Sequence, residues 1–179
     1  MVTLLTERLR LREFMMDDLD EVHKYASDPE VSHYMDWGPN TLNETAVFVK
    51  GAVDSQRENP RIKFELAVEH PLHGLIGGCG IYINNVNNKI AEIGYCLNRS
   101  SWGKGYGTEV AASLIEFGFK DLKMHRIAAT CDPKNIGSWK IMEKNGMTRE
   151  GILRENKIIR GNWHDSYIYS ILEHEWQLE

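Results

Sequence analysis

Cysteine is scarce in this chain. Cys79, Cys96 and Cys131 are the only three, an odd number with no CxxC pair, so neither a disulfide framework nor a zinc knuckle is expected. Five prolines in 179 residues exclude a proline-rich or collagen-like chain. No apolar run approaches the ~20 residues that a bilayer crossing requires. The opening stretch, MVTLLTERLRLREF, is interrupted by charge too early for a signal peptide. Positive charge is in deficit, 21 Lys and Arg against 26 Asp and Glu for a net −5, so a basic duplex-binding footprint is not expected. Together these absences fit a reducing cytoplasm and neither a nucleic-acid nor a membrane partner. What remains is ordinary globular usage, 42% hydrophobic and 26% charged. A length of 179 residues predicts one domain, 1–179, with no internal repeat or linker to divide it.

Periodicity gives the element order. Arg8-Leu9-Arg10-Leu11-Arg12 alternates as a strand with one wet face does. Asp17 and Asp18 open a helical pattern that ends before Pro29. Thr41 and Glu44 form a capping-box signature for a second helix, which stops near Asn59-Pro60. Lys63–Val68, the glycine-rich Leu75–Ile83 and Ile90–Leu97 read as strands, with the cluster Asn84-Asn85-Val86-Asn87-Asn88 as a hairpin turn. Thr108–Leu122 reads as a helix, Arg126–Cys131 as a buried strand, and Asn135–Asn145 as a helix closed by Gly146. Met147–Leu153 and Ser166–Leu172 are further strands. The expected fold is an α/β (α+β) domain on one mixed, mostly antiparallel sheet of about six to seven strands with flanking helices. Only the strand–helix–strand crossover requires a parallel pair.

Chemistry concentrates in two places. Trp102-Gly103-Lys104-Gly105-Tyr106-Gly107-Thr108 lies between a strand and a helix. Glycine lets backbone N–H groups approach an anion, and the following helix adds free donors and the positive end of its dipole, which together suit a pyrophosphate. GxxxxGK[ST] is absent, and Thr108 stands where a dinucleotide fingerprint needs its third glycine, which disfavours a nicotinamide-dependent oxidoreductase. A tight turn without a ligand is the plainer alternative. The second place is Cys131-Asp132-Pro133-Lys134-Asn135-Ile136-Gly137-Ser138. Asn135 and Ser138, three apart at a helix start, face the same way. They read equally as an N-cap with a surface hydroxyl or, since ends of neighbouring parallel strands open on one crevice, as contacts to the same elongated ligand.

In these blocks the chain resembles the GNAT acetyltransferases, and within them the RimJ/RimL-like ribosomal-protein N-acetyltransferase branch. The resemblance covers Thr6–Arg12, Ala91–Tyr95, Trp102–Glu109, Asn135–Ser138 with Glu143–Met147, and Glu150–Glu155. Gly105 and Gly107 match the family's Q/R-x-x-G-x-G/A acetyl-CoA motif, with Trp102 in place of Q/R. The resemblance implies acetyl-CoA as cosubstrate and no metal. It assigns the pyrophosphate to backbone N–H groups of Gly103, Lys104, Gly105, Tyr106, Gly107 and Thr108. It assigns the pantetheine arm to the strand end at Cys96 and Leu97 and to Asn135, with Ser138 beside the sulfur. It implies that the strands flanking the crossover splay apart to admit the acetyl arm. Its acceptor would be a primary amine, a protein N-terminal α-amine ahead of polyamines or small amines, and homodimers are common in the branch.

Acetyl transfer needs a neutral amine. At pH 7 an amine of pKa near 10.4 costs about 4.6 kcal/mol to deprotonate, and an α-amine near 7.8 only about 1. Glu92 is the candidate base and Ser138 the candidate proton donor to the thiolate, with Glu150 and Glu155 as alternatives for holding a cationic acceptor. Glu92 is equally accounted for as a solvent-facing strand residue. Tyr34 and Trp37 fit an amine pocket or a core. His70 and His73 have HxxH spacing but no third metal ligand, and Cys131 with His125 would form a thiol–base pair only if the two met in space. A non-catalytic acyl-CoA-binding module is the competing reading.

Overall fold

Alternation along the strands decides which helices each face of the sheet receives. The computed structural model describes residues 2–176. The chain opens with β1 (Thr3–Leu5), β2 (Arg10–Glu13), a 3-10 turn at Met16–Asp18, α1 (Leu19–Ala26) and α2 (Leu42–Ser55). It continues through β3 (Lys63–His70), β4 (Gly74–Asn85), β5 (Ile90–Leu97), α3 (Tyr106–Lys120), β6 (Arg126–Cys131), α4 (Ile136–Lys144), β7 (Thr148–Ile159) and β8 (Asn162–Leu172). The strands form one eight-stranded sheet in the order β1-β2-β3-β4-β5-β6-β8-β7. Every neighbouring pair is antiparallel except β5 and β6, which α3 joins as a parallel crossover.

The expected class and order hold, with two corrections. The sheet has eight strands because Thr3-Leu4-Leu5 pairs with β2, a segment too short to show a period. The last hairpin runs to a turn at Arg160-Gly161, well past Leu153. The register of β7 against β8 slips between Leu153 and Lys157, where Glu155 takes φ 49°, so the alternation that marks a strand is lost there. Thr41 and Glu44 make the expected capping box on α2, and Gly146 is left-handed after α4.

The polar side of β2 is not all wet. Arg12 is buried, pairs bidentately with Asp18 at 2.7 and 2.8 Å, and donates its Nε to Glu69 at 2.7 Å. It ties β2 to the 3-10 turn and to β3.

Two apolar clusters lie on the two faces. Phe64, Leu66, Ile81, Ile93 and Leu97 pack against Val110, Leu114 and Phe117 of α3 and Met142 of α4. On the other face Ala67 and Leu75 meet Phe14, Val22, Tyr25 and Ala26 at α1 and Val49 and Ala52 of α2. Glycines in β4 set the shape of both faces. A Cβ on Gly78 would lie 3.0 Å from the Tyr25 hydroxyl and 3.2 Å from Phe14 Cζ, so the absence of a side chain there seats two rings. A Cβ on Gly77 would lie 2.2 Å from the Cys96 carbonyl oxygen, so β4 and the end of β5 come together only because Gly77 has none.

Gly77→Ala should therefore destabilise the fold by about 1–3 kcal/mol or more, since the clash is with backbone that cannot rotate away. Gly51→Ala, at an exposed helical position with nothing within 4 Å of a new Cβ, should stabilise it by about 0.4–1 kcal/mol. Urea unfolding of both variants against wild type checks the two signs.

Candidate active site

The site starts at the N-terminus of α3. Gly103 and Gly105 take φ 72° and 83°, a left-handed backbone that glycine adopts without strain. No side chain caps α3, in contrast to Thr41 on α2 and Asn135 on α4. Thr108 and Glu109 turn their N–H groups to the Gly105 carbonyl at 3.1 and 3.2 Å, which leaves Tyr106 and Gly107 as donors at the start of the helix. A Cβ on Gly103 would meet nothing within 4 Å, so the loop borders open space. Gly107 serves packing as well, because a Cβ there would come within 2.5 Å of Ile141 on α4.

The chain's beginning clamps this loop. Glu109 accepts from the Thr6 hydroxyl at 2.5 Å, the Arg8 backbone N–H at 2.8 Å and the Arg8 guanidinium at 2.8 Å. Burial alone would raise its carboxyl; these donors outweigh burial and hold it below the usual carboxylate range. Arg8 also donates to the Lys104 carbonyl at 3.0 Å and lies over the Tyr106 ring at 4.7 Å. His70, in contact with Tyr106, is lowered by desolvation and by the charges of His73, Lys104 and Arg8. Arg8, balanced by Glu109, and Lys104 thus flank an uncapped helix end, whose free N–H groups suit an anion.

Beside the loop, two strands part. β5 and β6 pair only over Ile90–Glu92 with Arg126–Ala128. β5 then stays with β4 as far as Leu97, so its other edge is free from Ile93 onward. Asn98 donates its N–H to Ile76 at 2.8 Å and Trp102 donates its indole N–H to the Leu97 carbonyl at 2.8 Å, which fastens the strand end on the β4 side. Asn135 caps α4 by accepting from the Ser138 N–H at 3.2 Å. Across the gap the Tyr95 hydroxyl donates to the Ser138 carbonyl at 3.1 Å and lies 3.4 Å from Ser138 Oγ.

Two cavities meet at this gap and share Met35, Asp36, Trp37, Tyr82, Gly94 and Tyr95. The smaller, about 350 Å³, brings together Glu92, Asn135 and Ser138. There Glu92 accepts from Thr130 Oγ1 at 3.1 Å and Asn84 Nδ2 at 3.3 Å. The larger, about 800 Å³, extends under α1 and α2 past Cys96 to Glu65. Tyr34 lines the smaller cavity and Trp37 lines both.

Other sequence candidates lie elsewhere. Glu150 pairs with Arg126, which drops its carboxyl to about 2, and neither Glu150 nor Glu155 lines either of these two cavities. His125 sits at the far end of β6 from Cys131, six extended residues or ~20 Å away. Burial lifts the Cys131 thiol to about 11, away from the thiolate, and no His125 base meets it.

Two site groups had no signal in the sequence, and a third, Tyr95, was marked only as part of the Ala91–Tyr95 block. His164 Nδ1 lies 2.8 Å from Asp132 Oδ2, and both line the smaller cavity. Glu65 accepts from the Tyr82 hydroxyl at 2.8 Å, and burial pushes its carboxyl above the usual range. Tyr95 spans the gap to Ser138. The glycines at 78, 80 and 94 were the available clue to the larger cavity, because glycine inside a strand marks close approach.

An uncapped helix end, a strand edge freed by its neighbour's divergence and cavities meeting at that edge suit an elongated, phosphate-bearing ligand and a second reactant beside it. Residues 8–148 match the family model described as an acetyltransferase (GNAT) domain. The uncharacterized N-acetyltransferase YnaD of Bacillus subtilis is 39% identical over 173 residues, 96% of this chain and 97% of that one. The crystal structure of a GNAT-family acetyltransferase from Bacillus anthracis superposes with a TM-score of 0.84 at 33% identity, covering 97% of this chain and 99% of that one. The same fold, at 21% identity and a TM-score of 0.81, occurs in a spermidine N-acetyltransferase from Vibrio cholerae solved with CoA and spermine, covering 94% and 98%. It also occurs, at 23% and 0.82, in a ribosomal-protein-S5-alanine acetyltransferase from Vibrio fischeri, covering 99% and 100%. The chain belongs to the GNAT acetyltransferase family and is an acetyl-CoA-dependent N-acetyltransferase.

Gly105→Val should abolish acetyl-CoA binding, because a β-branched residue is strained at φ 83° and would crowd the loop. Gly151→Val, in β7 with nothing within 4 Å of a new Cβ, should leave affinity unchanged. Calorimetry on the folded variants reads both.

Proposed function

We propose that the chain, as one acetyltransferase domain over 1–179, passes acetyl directly to a primary amine in a ternary complex. The observation that carries this reading is the meeting of the two cavities at Gly94 and Tyr95, on the edge of β5 that β6 leaves free. Acetyl-CoA, when bound, supplies the acetyl group as a thioester. N–H groups of Gly103, Lys104, Gly105, Tyr106 and Gly107 hold its pyrophosphate, those of Tyr106 and Gly107 being the free helix donors, while the Thr108 N–H is taken by the Gly105 carbonyl. The freed edge of β5, with Cys96, Leu97 and Trp102, and Asn135 hold the pantetheine arm. Ser138 Oγ protonates the departing thiolate.

Glu92 takes the amine's proton, directly or through water. Its support is its place in the cavity that holds Ser138. The Asp132–His164 pair faces the same cavity and supports a second assignment, since a histidine oriented by a carboxylate is a common base. Both readings keep the chemistry in the chain's own side chains.

For the acceptor, the RimJ/RimL-like blocks favour a protein N-terminal α-amine, which also needs the least deprotonation. The apolar lining of the larger cavity favours a small-molecule amine. Fold neighbours carry names of both kinds. Free-thiol release from acetyl-CoA over a panel of peptides, polyamines and monoamines decides between them. No release with any amine, despite tight coenzyme binding, would leave the non-catalytic binding module.

Glu92→Gln should lower turnover by about 10²–10⁴-fold with acetyl-CoA affinity nearly unchanged. The loss should be larger for a high-pKa amine than for an α-amine. A pH–rate profile of wild type and variant on both acceptors checks this. Wild-type rates would remove Glu92, and the same measurement on His164→Asn would then test the pair.

A further inference from the structure

Tyr95 crosses the gap between the parted strands. It lies three residues beyond Glu92, the last residue of β5 that pairs with β6, and its ring reaches from the freed edge to the first turn of α4. Alternation puts it on the α3/α4 face with Ile93 and Leu97, and the ring packs against the core there. Among the described residues it is the one side chain of β5 that hydrogen-bonds to α4.

The hydroxyl meets both oxygens of Ser138. It donates to the carbonyl at 3.1 Å and lies 3.4 Å from Oγ. Ser138 is the third residue of α4, so helix geometry already brings its carbonyl the N–H of Met142. The bond from Tyr95 is additional, and the carbonyl is satisfied without it. The Ser138 N–H is held by Asn135 Oδ1 at 3.2 Å. Asn135 and Tyr95 thus grip this residue from two sides, at a helix end whose dipole favours negative charge. A phenol has one proton and two lone pairs. Turning its O–H about the C–O bond moves the donor from the carbonyl to Oγ with the ring in place. Burial pushes the Tyr95 phenol well above its ordinary range, so it keeps its proton and acts as a hydrogen-bond donor. The Cys131 thiol, in the same cavity as Ser138, is also held protonated by burial.

We infer that Tyr95 is a positioning residue for acetyl transfer: its hydroxyl orients Ser138 Oγ and strengthens it as the hydrogen-bond donor to the departing thiolate. This rests on the reading above that Ser138 stands beside the sulfur. As the amine nitrogen bonds the acetyl carbon, the carbon–sulfur bond breaks and its electron pair goes to sulfur. The Ser138 proton moves toward that pair. Oγ gains negative charge, and the Tyr95 O–H turns to it from the carbonyl. A chain of two hydrogen bonds then spreads the charge over sulfur, serine and phenol, each bond polarising the next. Tyr95 keeps its own proton throughout, and the proton that the amine loses balances the one that sulfur gains.

The experiment titrates the thiol of CoA bound to wild type, Tyr95→Phe, Ser138→Ala and the double variant, read by the ultraviolet absorbance of the thiolate. It needs no acceptor. Phenylalanine keeps the ring, a thermal melt confirms folding, and Tyr95→Leu is a second variant without the hydroxyl. Glu92, Asp132, Lys157 and His164 line the cavity in every one of these proteins, so differences between them isolate the two hydroxyls. Tyr95→Phe should raise the thiol pKa and cut the thiolate fraction at a given pH by roughly twofold to tenfold, as loss of one neutral hydrogen bond does, with acetyl-CoA affinity nearly unchanged. In the Ser138→Ala background the same substitution should have no effect. With any amine that releases CoA, kcat should fall by a similar factor while the KM for acetyl-CoA holds. An unshifted thiol in Tyr95→Phe, an equal shift in the Ser138→Ala background, or loss of acetyl-CoA affinity would overturn the inference and leave Ser138 as the donor. If Ser138→Ala itself leaves the thiol unshifted, the donor reading above fails, and this inference falls with it.

Discussion

The site depends on the divergence of two parallel strands. β5 and β6 share three residue pairs and then separate, because β5 is drawn toward β4. Gly77 permits that approach: the Cys96 carbonyl occupies the space a side chain would need. Bonds from Asn98 and from the Trp102 indole then hold the strand end where it lies. A sheet normally satisfies its backbone groups by pairing, so a strand edge left open inside the domain is an exception that a ligand's own amides can fill. The cavities, the Tyr95–Ser138 contact and the reach of α3 toward the gap all follow from this separation.

The glycine loop is rigid for a reason its own residues do not supply. Glycines lower the cost of left-handed backbone, but they also leave a loop free to move. Thr6 and Arg8 remove that freedom from about a hundred positions away, by converging on Glu109 in the first turn of α3. The acid that anchors them also suits the positive end of a helix. The same side chain therefore stabilises the helix start and aligns the N-terminal segment, while the open face of the loop keeps its N–H groups for an anion.

The two faces of the sheet divide the labour. The α3/α4 face is packed with large aliphatic side chains and supports the glycine loop and the start of α3. The α1/α2 face replaces side chains with glycine at positions 78, 80 and 94, and aromatic rings border the space so left. Glu65 is an ordinary strand residue by spacing. It lines the larger cavity because its cross-strand neighbours are glycines, and its partial burial raises its carboxyl.

Much was legible from residue order alone. The periodicity of Ile90–Leu97 and Arg126–Cys131 matched the strands to the residue, and Thr41 with Glu44 marked a helix start, because these signals are local in physical origin. The alternating glycines before α3 marked its left-handed, uncapped start for the same reason. The sequence could not show that Arg12 is buried, since its charge is neutralised by Asp18 and Glu69 only after folding. Nor could it show the bend at Glu155, the pairing of His164 with Asp132, or the pocket at Glu65. Those features depend on strand register and on packing that forms only on folding. A side chain's partner across a sheet is set by neighbours that no local period encodes, and only tertiary structure decides it.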